Sequence, residues 1–294
     1  MNDRRELLTP AKINLFLRIT GRRANGYHEL DSVFVPVSLF DRVTITASPA
    51  SETSVELRCN WPDLPRGADN LAVRAALRFI DNYGLKLRLL IDLSKQIPAG
   101  AGLGGGSSDA AAVLRILADM TGHAVRELAD LALGLGADVP FFLDPRPARV
   151  GGIGERIEPL NHQFPMNLVI AVPPVVVSTP AVFAALKQQD WSGPAPRGTA
   201  EALAGGAITL ALLRNDLERA AVELHPVIGQ VKFALERLGS YGAAMSGSGG
   251  AVFGLFADRA AAALAASRIG AMVAGVRAHA ATTAVVPPVN RLMR

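Results

Sequence analysis

The sequence is short of cysteine, of aromatic residues, of lysine and of long apolar runs. A single cysteine, Cys59, among 294 residues excludes an intrachain disulfide and with it a disulfide-stapled scaffold. CxxC and HExxH spacings are absent and the five histidines are scattered, so nothing argues for a structural zinc site. No stretch reaches the roughly 18 uninterrupted apolar residues of a membrane span. The nearest approach, 260–275, carries Arg268 in its middle. Aromatic residues make up 5% of the chain, and the arginines are spread, with Arg18, Arg22 and Arg23 their densest group. A nucleic-acid binder concentrates basic residues on one face, often with aromatics among them, so the net charge of +4 gives only mild support for a polyanionic ligand. Lysines number five against 25 arginines, which draws attention to Lys12 and Lys95.

The Arg4-Arg5 pair is followed by Pro10, Lys12 and Asn14 where an export signal would begin its apolar run. It reads as a solvated flank, and the expected location is the cytoplasm.

What is present describes a globular chain. Half the residues are hydrophobic, with 28 Gly and 19 Pro, and the length suggests two domains. Short β-branched runs predict strands at 13–19, 32–38, 42–47, 54–59, 85–93, 168–172, 251–256 and 277–283. Helical patterns follow Asp69-Asn70, ending near Gly84, then cover 108–120 and 125–135, several segments between 180 and 238, and a segment from Asp258. Strands and helices mix without a regular βαβ rhythm, so the expected class is α+β. A polar, proline-bounded stretch at 157–166 places the expected boundary between domains 1–158 and 159–294. No repeat of 20 to 50 residues is visible, and 192–206 reads as a mobile surface loop.

The strongest chemical signal runs from Pro98 through Ala99, Gly100, Ala101, Gly102, Leu103, Gly104, Gly105 and Gly106 to Ser107 and Ser108. The glycines permit positive φ and close approach of backbone to a ligand. Ser107 and Ser108 are expected to cap a helix whose free N–H groups and dipole would favour a phosphate. A dinucleotide fingerprint would need a second parallel strand after this helix, and a second helix follows instead. The Walker A lysine is missing, and so are the protein-kinase segments. A flexible linker would have neither the apolar strand in front nor the helix behind. Phosphate binding is the stronger reading.

This loop resembles the second motif of the galactokinase, homoserine kinase, mevalonate kinase and phosphomevalonate kinase superfamily, with one extra residue in the glycine run. Three other segments agree in order. Pro10 to Leu15 with Asn25 to Leu30 resembles a first motif, Gly136 to Phe141 a catalytic aspartate segment, and Ser246 to Gly250 a third motif. The details are most similar to the branch whose substrate is a cytidine diphosphate methylerythritol of the non-mevalonate isoprenoid route. The resemblance implies an N-terminal domain like ribosomal protein S5 domain 2, a ferredoxin-like C-terminal domain and an active site in the cleft between them. It also implies ATP-dependent phosphorylation of a hydroxyl on that small-molecule substrate.

By that resemblance Asp138 is the expected base and Lys12 its partner. The ammonium would hold Asp138 ionised and stabilise developing charge. The plainer reading of Asp138 is a turn residue closing the preceding helix. Asn14 shares a strand face with Lys12 and would bond the substrate diol or merely satisfy backbone. Tyr27 and His28 would meet the cytidine, with Phe34 a second stacking platform unless it is core. Asn70 and Lys95 would approach adenine, against helix-cap and surface-charge readings. Gly247, Ser248 and Gly249 would bring the second domain to the phosphates or to the substrate diphosphate. Either Ser107 or Ser108 offers a hydroxyl to Mg2+, and the sequence does not choose. Neither a nucleic acid nor a membrane is expected as partner. The rival readings are a superfamily kinase for another alcohol and a basic nucleic-acid-binding protein with the same N-terminal fold.

Overall fold

The computed structural model describes residues 3–160, 165–196, 198–199, 202, 212–285 and 289–291. The chain opens on a hairpin of two long strands, β1 (Asp3–Arg22) and β2 (His28–Pro49), where the sequence suggested three short ones. Their ladder changes register between Pro10 and Ala11, between Asn14 and Leu17, and between Ile19 and Gly21. Each shift breaks strict alternation, so a period-two reading cuts one bent strand into pieces. Asp41 lies fully buried inside β2, where the N–H groups of Gln96 and Ile97 donate to its carboxylate at 2.6 and 2.8 Å.

The first half continues with β3 (Ser54–Cys59), α1 (Leu71–Asn82), β4 (Leu87–Ser94), α2 (Gly105–Thr121), α3 (Ala129–Leu135), α4 (Val139–Leu143), β5 (Ala148–Gly152) and β6 (Arg156–Pro159). The second half supplies β7 (Asn167–Val172), α5 (Thr179–Ala185), α6 (Glu218–Leu224), α7 (Val227–Arg237), β8 (Gly242–Met245), β9 (Val252–Phe256), α8 (Arg259–Met272), β10 (Arg277–Thr282) and β11 (Asn290–Arg291). One sheet has the order β11-β1-β2-β4-β3, with β5 on β2 and β6 on β5; the other is β10-β7-β9-β8. The class is α+β, as expected from the irregular alternation of elements.

Three apolar clusters make the molecule four layers deep. One lies between the first sheet and α1 to α4, with Phe79, Leu114 and Phe142 at its centre. A second joins the sheets face to face, Ile13, Leu15 and Val35 meeting Leu168, Ile170 and Phe253. The third packs α5 to α8 on the outer face of the second sheet. Because side chains alternate along a strand, sending Ala11, Ile13 and Leu15 between the sheets turns Lys12 and Asn14 toward the helices.

Of the 192–206 segment expected to be a mobile loop, Ser192 and Ala195 are tied to buried carboxylates. Ser192 donates to Asp216 through its backbone N–H at 2.8 Å and its hydroxyl at 2.5 Å, and the N–H of Ala195 donates to Asp31 at 2.7 Å. Most of 197–206 lies outside the described residues.

Candidate active site

Between β4 and α2 the chain makes its glycine-rich loop, with φ of 68° at Gly100, 79° at Gly102 and 72° at Gly104. The left-handed Gly104 is the N-cap residue of α2, so the helix begins at Gly105, three residues earlier than the serines suggested. A positive φ at the cap needs no side chain, which is why a rule built on serine caps misplaces the start. The N–H groups of Gly105, Gly106 and Ser107 therefore have no carbonyl behind them in the helix and sum with its dipole. Ser108 is not a cap. It is fully buried, and its hydroxyl donates to the Pro10 carbonyl at 2.7 Å beside the Thr9 hydroxyl, bracing α2 against β1.

The loop from Pro98 to Ser107 lines a cavity of about 370 Å³, whose other wall includes Leu64, Pro65, Asn70, Leu71 and Leu93. That volume falls within the range of small-molecule sites. An apolar wall opposite a row of backbone N–H groups suits a nucleoside triphosphate.

Lys12 and Asp138 meet beside this loop. The Lys12 ammonium, 4% exposed as a residue, lies 3.7 Å from Oδ2 of Asp138. It donates to Oδ1 of Asn14 at 2.7 Å and stands 4.4 Å above the centre of the Phe34 ring. Burial pushes the Lys12 pKa down, and the Asp138 carboxylate opposes that shift. Asp138 precedes α4 as its N-cap residue but makes no side-chain cap bond. Its carboxylate is instead half-open and turned to Lys12, which the plain turn reading does not explain.

Segments from both halves converge here. The Lys12 N–H donates to the Leu103 carbonyl at 2.9 Å, and a Cβ on Gly247 would stand 3.5 Å from the Lys12 ammonium. The Ser246 hydroxyl donates to the Gly102 carbonyl at 3.1 Å, and the Ala251 N–H to the Ala101 carbonyl at 3.1 Å. A Cβ on Gly102 would lie 2.1 Å from the Ser246 carbonyl oxygen, and one on Gly249 2.3 Å from the Gly102 nitrogen. These glycines are required by contact between two backbones. Ser248 shares a 2.6 Å hydrogen bond with the Thr179 hydroxyl.

Several expected ligands have other partners. Lys95 lines the cavity, but its ammonium is buried between Asp41 and Asp109, the latter at 2.7 Å, so it is neither a surface charge nor a free donor. Asn70 acts as a helix cap: its side chain accepts from the Ala72 N–H at 3.0 Å and donates to the Pro65 carbonyl at 2.9 Å. The Asn14 amide is directed to Lys12 and to Ser32 rather than left open for a diol. Phe34 is core, edge-on to Phe141 at 5.3 Å under Lys12, and is no platform for a base. Tyr27, 61% exposed, sits in the turn before β2. His28 stacks on Phe183 at 5.2 Å and meets Trp191 edge-on at 5.7 Å, and burial together with Arg22 holds its pKa down.

Two family descriptions match the chain, GHMP kinases N terminal domain over residues 70–144 and GHMP kinases C terminal over residues 200–275. A 4-diphosphocytidyl-2-C-methyl-D-erythritol kinase of Syntrophotalea carbinolica is 40% identical over 289 residues, covering 96% of this chain and 98% of that protein. The chain belongs to the 4-diphosphocytidyl-2-C-methyl-D-erythritol kinase family. A second member of that family, from Symbiobacterium thermophilum, is 45% identical over 260 residues, covering 86% and 91%. A crystal structure of 4-(cytidine 5'-diphospho)-2C-methyl-D-erythritol kinase superposes with a TM-score of 0.82 at 40% identity, covering 95% of this chain and 99% of the other. As a GHMP-type small-molecule kinase the chain uses ATP as phosphoryl donor.

Sequence reasoning missed Phe183, Ser32, Asp41, Asp109, Asn215 and Asp216. The Asn215 side chain donates to the carbonyls of Met245 and Gly247 at 2.8 and 2.7 Å, and Asp216 receives the Ile19 N–H at 2.8 Å, so this pair ties β1 to the 246–250 turn. Buried Asp and Asn residues carry no periodic signal. Only their partners, distant in sequence, reveal them.

Proposed function

We propose that the chain phosphorylates a hydroxyl on the methylerythritol part of 4-diphosphocytidyl-2-C-methyl-D-erythritol, using ATP, in isoprenoid precursor synthesis. The observation that carries this reading is the Lys12–Asp138 pair, 3.7 Å apart, beside a loop of free helix N–H groups. Phosphoryl transfer asks for positioning, charge neutralisation and a group to take the hydroxyl proton. The triphosphate lies against the N–H groups of Gly105, Gly106 and Ser107, with its base toward Asn70 and Leu71. Asp138 takes the proton from the acceptor hydroxyl. Lys12, fixed by Asn14, stabilises charge on the transferring group. Tyr27 and His28 hold the cytosine, joined by Phe183, whose ring already stacks on His28. The 247–249 turn closes the site from the second half, with the domains divided at 158/159 and the site at their junction.

The donors present fit Mg2+. The Ser107 hydroxyl lines the cavity and makes no hydrogen bond among the described residues, whereas the Ser108 hydroxyl is spent on Pro10. One protein oxygen together with phosphates and waters is a common Mg2+ environment. Ser107 would hold the ion, which neutralises phosphate charge when bound. No helix among the described residues is long and apolar enough to cross a membrane.

The test is ADP release with ATP, Mg2+ and four acceptors: the cytidine diphosphate methylerythritol, homoserine, mevalonate and galactose. Turnover with the cytidine compound alone is expected. Turnover with another acceptor would retain the kinase and overturn the roles given to Tyr27, His28 and Phe183.

A further inference from the structure

Lys12 does not stand alone in the wall of the site. Its ammonium can only donate, so the atom of Asn14 that faces it at 2.7 Å must be the amide oxygen. The amide nitrogen then points the other way and donates to Oγ of Ser32 at 2.9 Å. Ser32 has one proton, and it goes to the carbonyl of Phe16 at 2.5 Å, so the lone pairs of the same oxygen are left to receive Asn14. The chain Lys12, Asn14, Ser32, Phe16 therefore has one direction, with no second arrangement of donors that satisfies every member.

The terminal acceptor has a cause in the backbone. Asn14 pairs with Phe34 and Leu17 with Ser32, so two residues of β1, Leu15 and Phe16, oppose the single Val33 of β2. This is a bulge, a device that re-aims neighbouring side chains. Immediately beyond it the Leu17 N–H donates to the Arg214 carbonyl at 2.7 Å, so β1 turns there to join the second half of the molecule. Lys12, Asn14 and Ser32 are all nearly or fully buried, and no bulk water competes for these bonds.

We infer that Ser32 is a positioning residue for phosphoryl transfer: by holding the Asn14 amide in one sense against the β1 bulge, it fixes the Lys12 ammonium between Asp138 and the glycine-rich loop. The inference rests on the catalytic role proposed above for Lys12. Removing the Ser32 oxygen leaves the amide nitrogen of Asn14 without an acceptor, and the amide is free to turn and present donors to an ammonium. Lys12 then loses its fixed acceptor. It moves with respect to the transferring phosphate, and a misplacement of about 1 Å costs on the order of 100-fold in rate.

The experiment is steady-state kinetics on Ser32→Ala, Ser32→Thr, Asn14→Ala and the double variant Asn14→Ala with Ser32→Ala, each checked for native circular dichroism. Ser32→Ala is expected to lower kcat by roughly 10- to 100-fold with little change in KM for ATP. Ser32→Thr keeps the hydroxyl and should retain most of kcat. The double variant should be no slower than Asn14→Ala, because both changes break one path. Ser32→Cys fills the same volume with a weak acceptor and gives the same comparison where Ser32→Ala yields little folded protein. Full kcat in Ser32→Ala or Ser32→Cys, or losses that multiply in the double variant, would overturn the inference. Lys12→Met separates the two readings. If it is inactive while Ser32→Ala is fully active, only the role of Ser32 falls; if Lys12→Met is itself active, the catalytic assignment falls with it.

Discussion

The Lys12 ammonium is buried, and burial alone would drive it toward the neutral amine; the Asp138 carboxylate opposes that. Lys12 thus depends on Asp138 for its charge, and the two groups face each other at 3.7 Å. Replacing Asp138 with Asn removes both the proton acceptor and the counter-charge while leaving the glycine-rich loop untouched. We expect kcat of Asp138→Asn to fall by about 100- to 10,000-fold, with little change in ATP affinity measured by calorimetry. Retained turnover would remove Asp138 from the mechanism. Gly104 teaches a different lesson. The sequence suggests that a side chain there blocks phosphate approach, yet a Cβ on Gly104 would lie 2.8 Å from Cζ of Phe142 and 3.2 Å from Cγ of Lys12. A left-handed φ of 72° adds strain of roughly 1–2 kcal/mol for a non-glycine residue. Gly104→Val should therefore lower Tm and kcat by displacing Lys12, rather than acting mainly on ATP affinity. A variant of normal stability and kcat with weakened ATP binding would restore the sequence-based reading.

At the scale of elements, β2 and α2 are joined beside the glycine-loop cavity by Asp41 and Asp109, which share the ammonium of Lys95, the residue that follows β4. Two carboxylates share one ammonium, and Oδ1 of Asp109 is buried without a hydrogen-bond partner among the described residues. Burial raises the Asp109 pKa from 3.8 to about 7, Lys95 opposes the rise and Asp41 adds to it. The folded protein consequently holds this proton at pH values where the unfolded chain has released it. Stability should decline as pH rises from about 4 to about 7 and level off above, since the state that binds more protons is disfavoured as pH increases. Asp109→Asn removes that contribution. The difference in Tm between variant and parent should change across this window and be constant above it, and a pH-independent difference would show that Asp109 titrates normally. This triad also shows why the sequence does not reveal the partners of Lys95. Its rarity and its place before the loop were visible, but the two carboxylates that enclose it come from β2 and α2, 54 and 14 residues away.

At the scale of the molecule, the site exists because two backbones touch. The glycine-rich loop and the 246–250 turn approach so closely that a Cβ on Gly249 would sit 2.3 Å from the Gly102 nitrogen and 2.4 Å from the Ala101 carbonyl carbon. Backbone atoms cannot move aside as a side-chain tip can. Gly249→Ala is therefore expected to lower the urea midpoint and ATP affinity together, by forcing the halves apart. Gly106→Ala, where a Cβ would meet nothing within 4 Å, should leave the midpoint near that of the parent. Equal midpoints in both variants would mean that the junction is compliant.

The sequence by itself determined the α+β class, the order of the motif segments, the glycine loop before a helix, and the candidacy of Lys12 and Asp138. Each of these is a local pattern or a short ordered string, carried by neighbours in the chain. Only the tertiary structure decided that α2 starts at Gly105 behind a left-handed Gly104, that Ser108 braces β1, that Asn70 caps α1, that Phe34 is core under Lys12, and that Asn14 turns to Ser32. Those outcomes depend on which polar groups find partners once water is excluded. A buried hydrogen bond is satisfied by whatever the fold brings near, and for these residues the partners lie up to 99 positions away.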